Sequence, residues 1–445
     1  IDVNWNNFCK FERKTSFIYL ISNPPFKGSR KQNFDQKKDI LKTLKHMHGY
    51  KRLDYVSLWY FKAKEFIEQN DNSSSSFVST NSICQGEHVN ILWPEILKNL
   101  EINYAVKTFK WRNNAKNNAG VDCIIVSLAH PNKEKKILVD GEIEIKTNFI
   151  SPYLTTHKSI NVSNRKKPFS IDFPEMIYGN MPLEGGFLKL NEDEYSDLIS
   201  KDNRSIKFLR PLIGGSEFLN GKKRWCLWIN DSDLNEALEI SSIKKRINQV
   251  KEFRENAGSV AKTLVNKSHQ FRYRNEAKKD FLLVPCTSSS NRKYLPIGYF
   301  ETKYIPMNSS QVILDPPLYI FSLLSSQTHM LWVKNVGGKL KSDVRYSSKL
   351  CFNTFPVKKF NENEIKNLEN FTFRIIEERE KFSDKTISEI YGKKMPLSLK
   401  QIHEENDDFI DEIIFKKKQL NDEEKVGFLL SKYDEYEKND NKELF

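Results

Sequence analysis

Residues 16–26 read Ser16-Phe17-Ile18-Tyr19-Leu20-Ile21-Ser22-Asn23-Pro24-Pro25-Phe26. The run from Ser16 to Ile21 is continuously apolar after its first residue, the pattern of a buried strand in a parallel sheet. Ser22-Asn23-Pro24-Pro25 then stops it with a rigid turn. In open α/β sheets ligands bind beyond the carboxyl ends of the strands, so this turn is the first place to look for chemistry. It suits methyl transfer to a planar exocyclic nitrogen such as adenine N6. The lone pair of that nitrogen is delocalised into the ring. Two acceptors on its two N–H groups pull the nitrogen toward tetrahedral geometry and free the lone pair. The Asn23 side-chain oxygen and the Pro24 carbonyl can be those acceptors. Pro24 and Pro25 fix φ and remove competing donors, which keeps the carbonyl aimed. Phe26 offers a flat face against which an extruded base can stack. The proton leaves from an already cationic amine, so no general base with a shifted pKa is required. The competing reading is a turn that happens to contain two of the chain's 16 prolines.

Working outward, helical patterns cover about 35–47, with Ile40, Leu41, Leu44 and Met47 on one face, and about 54–68. A polar loop from Asn70 to Ser75 precedes a short strand from Ser76 to Thr80, and the low-complexity patch of residues 73–76 reads as loop. A helix near 92–100 leads into a strand at 102–108. Val121 to Ala129 form a strongly apolar strand, and Lys135 to Val139 read as an edge. Strands alternating with helices predict an α/β sheet with right-handed crossovers. Near 145–155 the periodicity becomes short and β-like, with turn signals at Gly185-Gly186, Gly214-Gly215, Asn220-Gly221 and Gly337-Gly338. A helical stretch at about 231–256 interrupts it, and from about 361 the pattern is helical again: 362–382, 397–414 and 421–437. Three parts are expected, over 1–147, 148–355 and 356–445.

The chain has 445 residues, a prior of roughly three domains. Hydrophobic residues are 38% and charged residues 29%, which excludes a disordered chain. No run approaches the roughly 18 apolar residues of a membrane span. Six cysteines at 9, 84, 123, 226, 286 and 351 form no CxxC pair, and a reducing cytoplasm is the expected location. No signal peptide is visible. The eight histidines show no metal-ligand spacing, so no metal is assigned. The net charge is +13, but fourteen acids against seven lysines give residues 401–445 a charge of −7 and leave +20 on the first 400. A surplus of that size favours a polyanionic partner through counterion release and steering.

Asn-Pro-Pro-aromatic turns occur in adenine-specific DNA methyltransferases, some RNA guanine methyltransferases and protein-glutamine methyltransferases. The rest of the chain separates these. Leu53-Asp54-Tyr55-Val56-Ser57-Leu58-Trp59-Tyr60, the segment from Phe77 to Glu87, and Thr108-Phe109-Lys110-Trp111 resemble the MmeI-like restriction–modification family, type IIL. So do Tyr178-Gly179-Asn180-Met181-Pro182, Arg210-Pro211-Leu212-Ile213-Gly214, Lys223-Arg224-Trp225-Cys226-Leu227-Trp228, Tyr294-Leu295-Pro296-Ile297-Gly298, Arg345-Tyr346-Ser347 and Asn353-Thr354-Phe355-Pro356. The resemblance spans nearly the whole chain. It implies a fold of an α/β partial class I methyltransferase sheet, an α+β target-recognition domain and a small all-α C-terminal domain. The implied activity is site-specific methylation of a flipped adenine at N6 in double-stranded DNA, with S-adenosyl-L-methionine as donor. A protein-glutamine or RNA methyltransferase would leave about 300 residues with basic loops unexplained.

A class I methyltransferase holds its cofactor through a Gly-rich turn after its first strand. In this family's order that turn lies well upstream of Asn23, yet no Gly occurs in the first 22 residues. The glycine pairs downstream read as turns. The family's nuclease, with its acidic metal-binding cluster, is also missing. The expectation is a fragment, beginning at Ile1 without Met, that needs an upstream polypeptide carrying the cofactor half and nuclease. The rival is a DNA-specificity chain with no activity of its own until a partner completes it.

The resemblance also implies that an aromatic near 109–111 packs on the flipped base; Phe109 is favoured over Trp111, and the alternative is that both are core. Asp54 reads as an N-cap of the second helix, with a cofactor-side contact as the minority alternative. For DNA, short hydroxyls and cations mark Ser289, Arg292 and Lys293 on one loop and Arg345, Tyr346 and Ser347 on another. The run Asn164-Arg165-Lys166-Lys167 is a weaker candidate, since charge runs are usually solvated faces. The stripe of Ile387, Ile390, Tyr391, Ile402, Phe409, Ile410 and Ile413 reads as packing against the preceding domains.

Overall fold

A computed structural model describes residues 17–111, 121–170, 172–340, 343–357, 359–416 and 419–443. Ser16, Cys9, the residues around them, Lys417 and Lys418 lie outside the described residues.

The first part is built from β1 (Ile18–Ser22), α1 (Phe34–Leu44), α2 (Ser57–Glu68), β2 (Ser73–Thr80), α3 (Glu87–Ile96), β3 (Glu101–Trp111), β4 (Val121–Ala129), β5 (Lys136–Asp140) and β6 (Ile143–Thr147). Among the described residues these strands make a six-stranded sheet in the order β1-β2-β4-β3-β5-β6. β1 and β2 are parallel, with Ser22 opposite Phe77, and β4 runs antiparallel to both β2 and β3. The carboxyl ends of β1, β2 and β3 and the start of β4 therefore share one end of the sheet.

Four local expectations are corrected. β1 is parallel but not buried: it is the outermost strand described, and Tyr19 and Ile21 are 68% and 80% exposed. An apolar run reports that a strand should be covered, not what covers it. Residues 73–76 are not a loop but the first half of β2, paired with β1 on one side and β4 on the other. Serine's preference for turns loses there to two ladders of backbone hydrogen bonds. Ser73, Ser74 and Ser75 are buried, and Ser127 Oγ donates to the Ser75 carbonyl at 2.6 Å. The strand near 135–139 is not an edge, because β6 pairs outside it. In α1, Ile40 and Leu44 are buried as expected, but Leu41 is exposed.

The second part contains β7 (Ile177–Tyr178), β8 (Lys189–Leu190), α4 (Glu192–Lys201), β9 (Leu209–Ile213), α5 (Gly215–Asn220), β10 (Trp225–Leu227), α6 (Leu234–Glu239), α7 (Ser241–Asn256) and α8 (Ser259–Lys262). It continues with β11 (Asp280–Pro285), β12 (Thr287–Ser288), β13 (Gly298–Glu301), β14 (Ile305–Pro306), β15 (Ser310–Leu314), α9 (Tyr319–Leu324), α10 (Gln327–Val336), β16 (Gly338–Leu340) and β17 (Asp343–Arg345). The strands form small sheets ordered β14-β9-β10-β8, β13-β11-β15-β7 and β12-β17-β16. The expected helix at 231–256 is broken into α6 and α7 at Ile240, whose backbone is extended.

The third part is helical: α11 (Glu362–Glu380), α12 (Ile387–Ile390), α13 (Leu397–Phe415) and α14 (Asp422–Glu443). Of the predicted stripe, Ile390, Tyr391 and Ile410 are fully buried. One apolar cluster runs from Ile40 in α1 through Leu282, Trp332 and Phe355 to Tyr433 in α14, so all three parts share a core. A second cluster, from Leu188 to Met307, makes a separate lobe of the middle part. The acidic tail is largely engaged by the chain's own cations and hydroxyls: Arg165 pairs with Glu437 and Asp440, Lys293 with Glu404, and Arg374 with Glu405.

Candidate active site and DNA interface

At the carboxyl end of β1, Asn23 is exposed and its amide makes no hydrogen bond to any described residue. Pro24 beneath it is buried, Pro25 is exposed, and Phe26 is half-buried against the shared core. The segment after the turn is tied down from one place. The Tyr55 amide donates to the Lys27 carbonyl at 2.8 Å, and Gln32 Nε2 donates to the Leu53 carbonyl at 3.0 Å. Asp54 Oδ1 accepts from the Ser29 amide at 3.2 Å, while Oδ2 accepts from the Ser82 hydroxyl at 2.6 Å. His88 Nε2 stands 3.5 Å from Asp54 Oδ1.

Asp54 is therefore not an N-cap; Val56 holds that position in α2, without a side-chain bond. Instead Asp54 joins the segment after the Asn-Pro-Pro-Phe turn to the loop after β2 and to α3. Burial pushes its carboxyl up, but His88, Ser82 and the Ser29 amide outweigh burial and hold it below its ordinary value. Its partners lie 25, 28 and 34 residues away in the chain, so no local pattern could disclose the role.

Phe109 does not lie past a strand but inside β3, opposite Cys123 and following a register shift after Val106. It is half-buried, and its ring centroid is 6.4 Å from that of Trp111. The structure brings it to the same end of the sheet as Asn23, three strand spacings or about 14 Å across.

The two basic loops are brought together, because β12 pairs antiparallel with β17: Thr287 faces Arg345 and Ser288 faces Val344. Arg345 is exposed and has no bonded partner among the described residues. Ser289 and Ser347 are half-buried, each accepting backbone donors that shape its turn. Arg292 donates to the hydroxyls of Ser288 and Ser388, both at 3.1 Å, and Lys293 pairs with Glu404 at 3.1 Å. Tyr346 requires a correction. It is fully buried, its hydroxyl 3.1 Å from His329 Nε2, so it is a core residue and not a surface for DNA. Arg165, in the weaker basic run, stacks 3.8 Å above Phe169 and serves the α14 interface.

The strand–Gly214-Gly215–helix turn after β9 holds no open cradle. A Cβ on Gly214 would meet Ser309 Oγ at 2.4 Å, and Ser309 Oγ already accepts from the Gly215 amide at 3.1 Å. Among the described residues no cluster of three or more His, Cys, Asp or Glu is placed to hold a metal, and no helix is long and apolar enough to cross a membrane.

A parallel pair followed by an antiparallel hairpin, with Asn-Pro-Pro-Phe at the carboxyl end of the outer strand, fits part of a class I methyltransferase sheet. Here it is joined to a unit built of small sheets that carries basic loops. Comparisons narrow this class. In chain order, residues 1–140 match the MmeI DNA-methyltransferase domain, 156–359 the MmeI target recognition domain and 360–440 the MmeI C-terminal domain. The chain belongs to the MmeI-like family of restriction–modification DNA methyltransferases. It is 38% identical over 439 residues to DNA methyltransferase A of Bacillus subtilis (strain 168), spanning 98% of this chain and 50% of that protein. The structure of the type IIL restriction–modification enzyme MmeI in complex with DNA matches with a TM-score of 0.91 at 34% identity, over 98% of this chain and 59% of that one. The chain thus spans about half the length of the curated relative it matches.

Proposed function

We propose that this chain supplies the catalytic turn and the sequence recognition of a site-specific DNA adenine-N6 methyltransferase in a restriction–modification system. The observation that carries the reading is Asn23: an exposed amide without a protein partner, at the carboxyl end of a parallel strand, on a turn anchored by Asp54. A flipped adenine would place one N6 proton on Asn23 Oδ1 and the other on the Pro24 carbonyl. Phe26 would stack on the base from one side, with Phe109 the aromatic available from β3. The exposed Arg345 with Ser347 on one loop, and Ser289, Arg292 and Lys293 on the other, would face duplex DNA.

S-adenosyl-L-methionine is the methyl donor this chemistry calls for. Among the described residues no seat for it is formed: β1 is uncovered on its outer side, and the strand–Gly214-Gly215–helix turn in the middle part is filled by Ser309. The donor, and a nuclease, would belong to a further polypeptide lying against β1. The open β1 edge equally suits the second reading, a recognition chain inert until completed. Isothermal titration calorimetry of the isolated chain with S-adenosyl-L-methionine tests this. No measurable binding is expected, and micromolar binding would overturn the view that the seat lies elsewhere.

A further inference from the structure

The three-stranded sheet β12-β17-β16 carries an unusual group of cations. Lys339 in β16 is half-buried, yet its ammonium has neither hydrogen bond nor ion pair among the described residues. Lys334, at the end of α10, is also half-buried, and its Nζ donates only to the Arg292 carbonyl, at 3.3 Å. Arg292 reaches two hydroxyls but no carboxylate, and its Nε is buried without a partner. Burial holds all three below their ordinary values; Asp343, Asp422 and Asp122 pull the other way from a distance, and Lys334 adds like-charge repulsion to Lys339. Cations withdrawn from water are ordinarily paired. Lys334 and Lys339, near enough to repel each other and without a paired carboxylate, make a site of positive potential that lacks its anion, and the Arg292 backbone holds the Lys334 ammonium in place.

The site's position says which anion. A Cβ on Gly86 would meet the Gly338 Cα at 3.1 Å, so β16 is packed backbone to backbone on the residue that opens α3. Asp122, the acid that acts on Lys339, lies at the start of β4, at the sheet end that bears Asn23. The cluster thus sits at the joint between recognition unit and catalytic end, on the strand paired with β17.

We propose that Lys334 and Lys339, supported by Arg292, seat a backbone phosphodiester of the bound DNA. This rests on the reading of the chain as part of a DNA methyltransferase. Such a contact carries no sequence information, but it fixes the strand's register against the catalytic turn. A lysine is suited to this as a compact point charge.

The test is the salt dependence of binding to a fluorescein-labelled mixed-sequence duplex, followed by anisotropy with the full chain. Each neutralised phosphate contributes about 0.9 to the log–log slope, so Lys339→Met should lower the slope by about 0.9 and weaken binding roughly eightfold at 0.1 M salt relative to 1 M. Lys334→Met should do the same, Lys339→Arg should restore the slope, and Lys394→Met, at an exposed site elsewhere, should change nothing. On a methylphosphonate duplex of the same sequence, wild type and Lys339→Met should bind alike. Thermal melts of each variant exclude unfolding as the cause. If wild type binds with a steep slope and both Lys→Met variants keep it, the phosphate seat is refuted while the DNA reading stands. If wild type binds no DNA, the proposed function itself fails.

Discussion

Asp407 offers a quantitative test of how the helical part is joined to the recognition unit. It lies on α13 and is 8% exposed. Its Oδ1 accepts from the Gln327 amide at 2.7 Å, at the start of α10, and its Oδ2 accepts from the Tyr294 hydroxyl at 2.8 Å. Burial pushes the carboxyl up to about 7; Asp411 adds to this, and the Gln327 amide, Tyr294 and Lys293 oppose it. In the unfolded chain the group titrates near 3.8. The linked stability is therefore fully present below that value and is lost as pH rises through about 7. Three units amount to about 4 kcal/mol at most, of which about 2.7 kcal/mol falls between pH 5 and 7. Relaxation of a buried site reduces this, and roughly 1–2 kcal/mol is the expected effect. Asp407→Asn is neutral at every pH, keeps an acceptor for Gln327 and can donate to Tyr294. The assay is the thermal midpoint of wild type and Asp407→Asn at intervals from pH 5 to 8. The variant should gain on wild type as pH rises, by about 2 °C per kcal/mol. A constant difference across the range, or a gain by wild type, would refute the reasoning.

Asp54→Ala leaves the Ser29 amide and the Ser82 hydroxyl without their acceptor. It should cost about 1–3 kcal/mol in chemical denaturation and, in the complete enzyme, lower kcat more than it raises KM. Because the Asp54 carboxyl is held below its ordinary value, its contribution is present above pH 3.8 and lost as pH falls further; the wild-type advantage over Asp54→Asn should shrink there. Ser75→Ala removes a buried hydroxyl that has no partner, and denaturant midpoints should show the variant as stable as wild type or more stable by about 1 kcal/mol. Gly86 has φ +56° and no room beside Gly338, so Gly86→Ala should lose at least ~1–3 kcal/mol in the same assay. Phe109→Ala in the complete enzyme should change the fluorescence of 2-aminopurine placed at the target base; unchanged fluorescence would remove Phe109 from the stacking role.

Where the sequence and the structure agree, the cause is local. Val121 to Ala129 is a strand residue for residue because its centre, Cys123 to Val126, is a run of apolar, mostly β-branched residues that favours one. The Asn-Pro-Pro-Phe turn was legible because two prolines leave the chain few other shapes. Where they disagree, the deciding partner is distant in sequence. Four consecutive serines became a strand because β1 and β4 needed one between them. Tyr346 went to the core although Arg345, its neighbour, faces out, since alternate residues of an extended segment point oppositely. Asp54 acquires its partners from contacts 25 or more residues away, which no window of periodicity contains.

The central claim is that Asn23 activates an adenine amine when a donor-binding half completes the sheet beside β1. The most direct measurement is mass-spectrometric counting of N6-methyladenine in duplex DNA. The reaction would contain S-adenosyl-L-methionine and the chain either alone, joined to that half, or joined to it with Asn23→Ala. The account predicts N6-methyladenine only from the completed wild-type enzyme, and none from the Asn23→Ala form although it still binds DNA. Methylation by the chain alone, or at the wild-type rate by the Asn23→Ala enzyme, would contradict it.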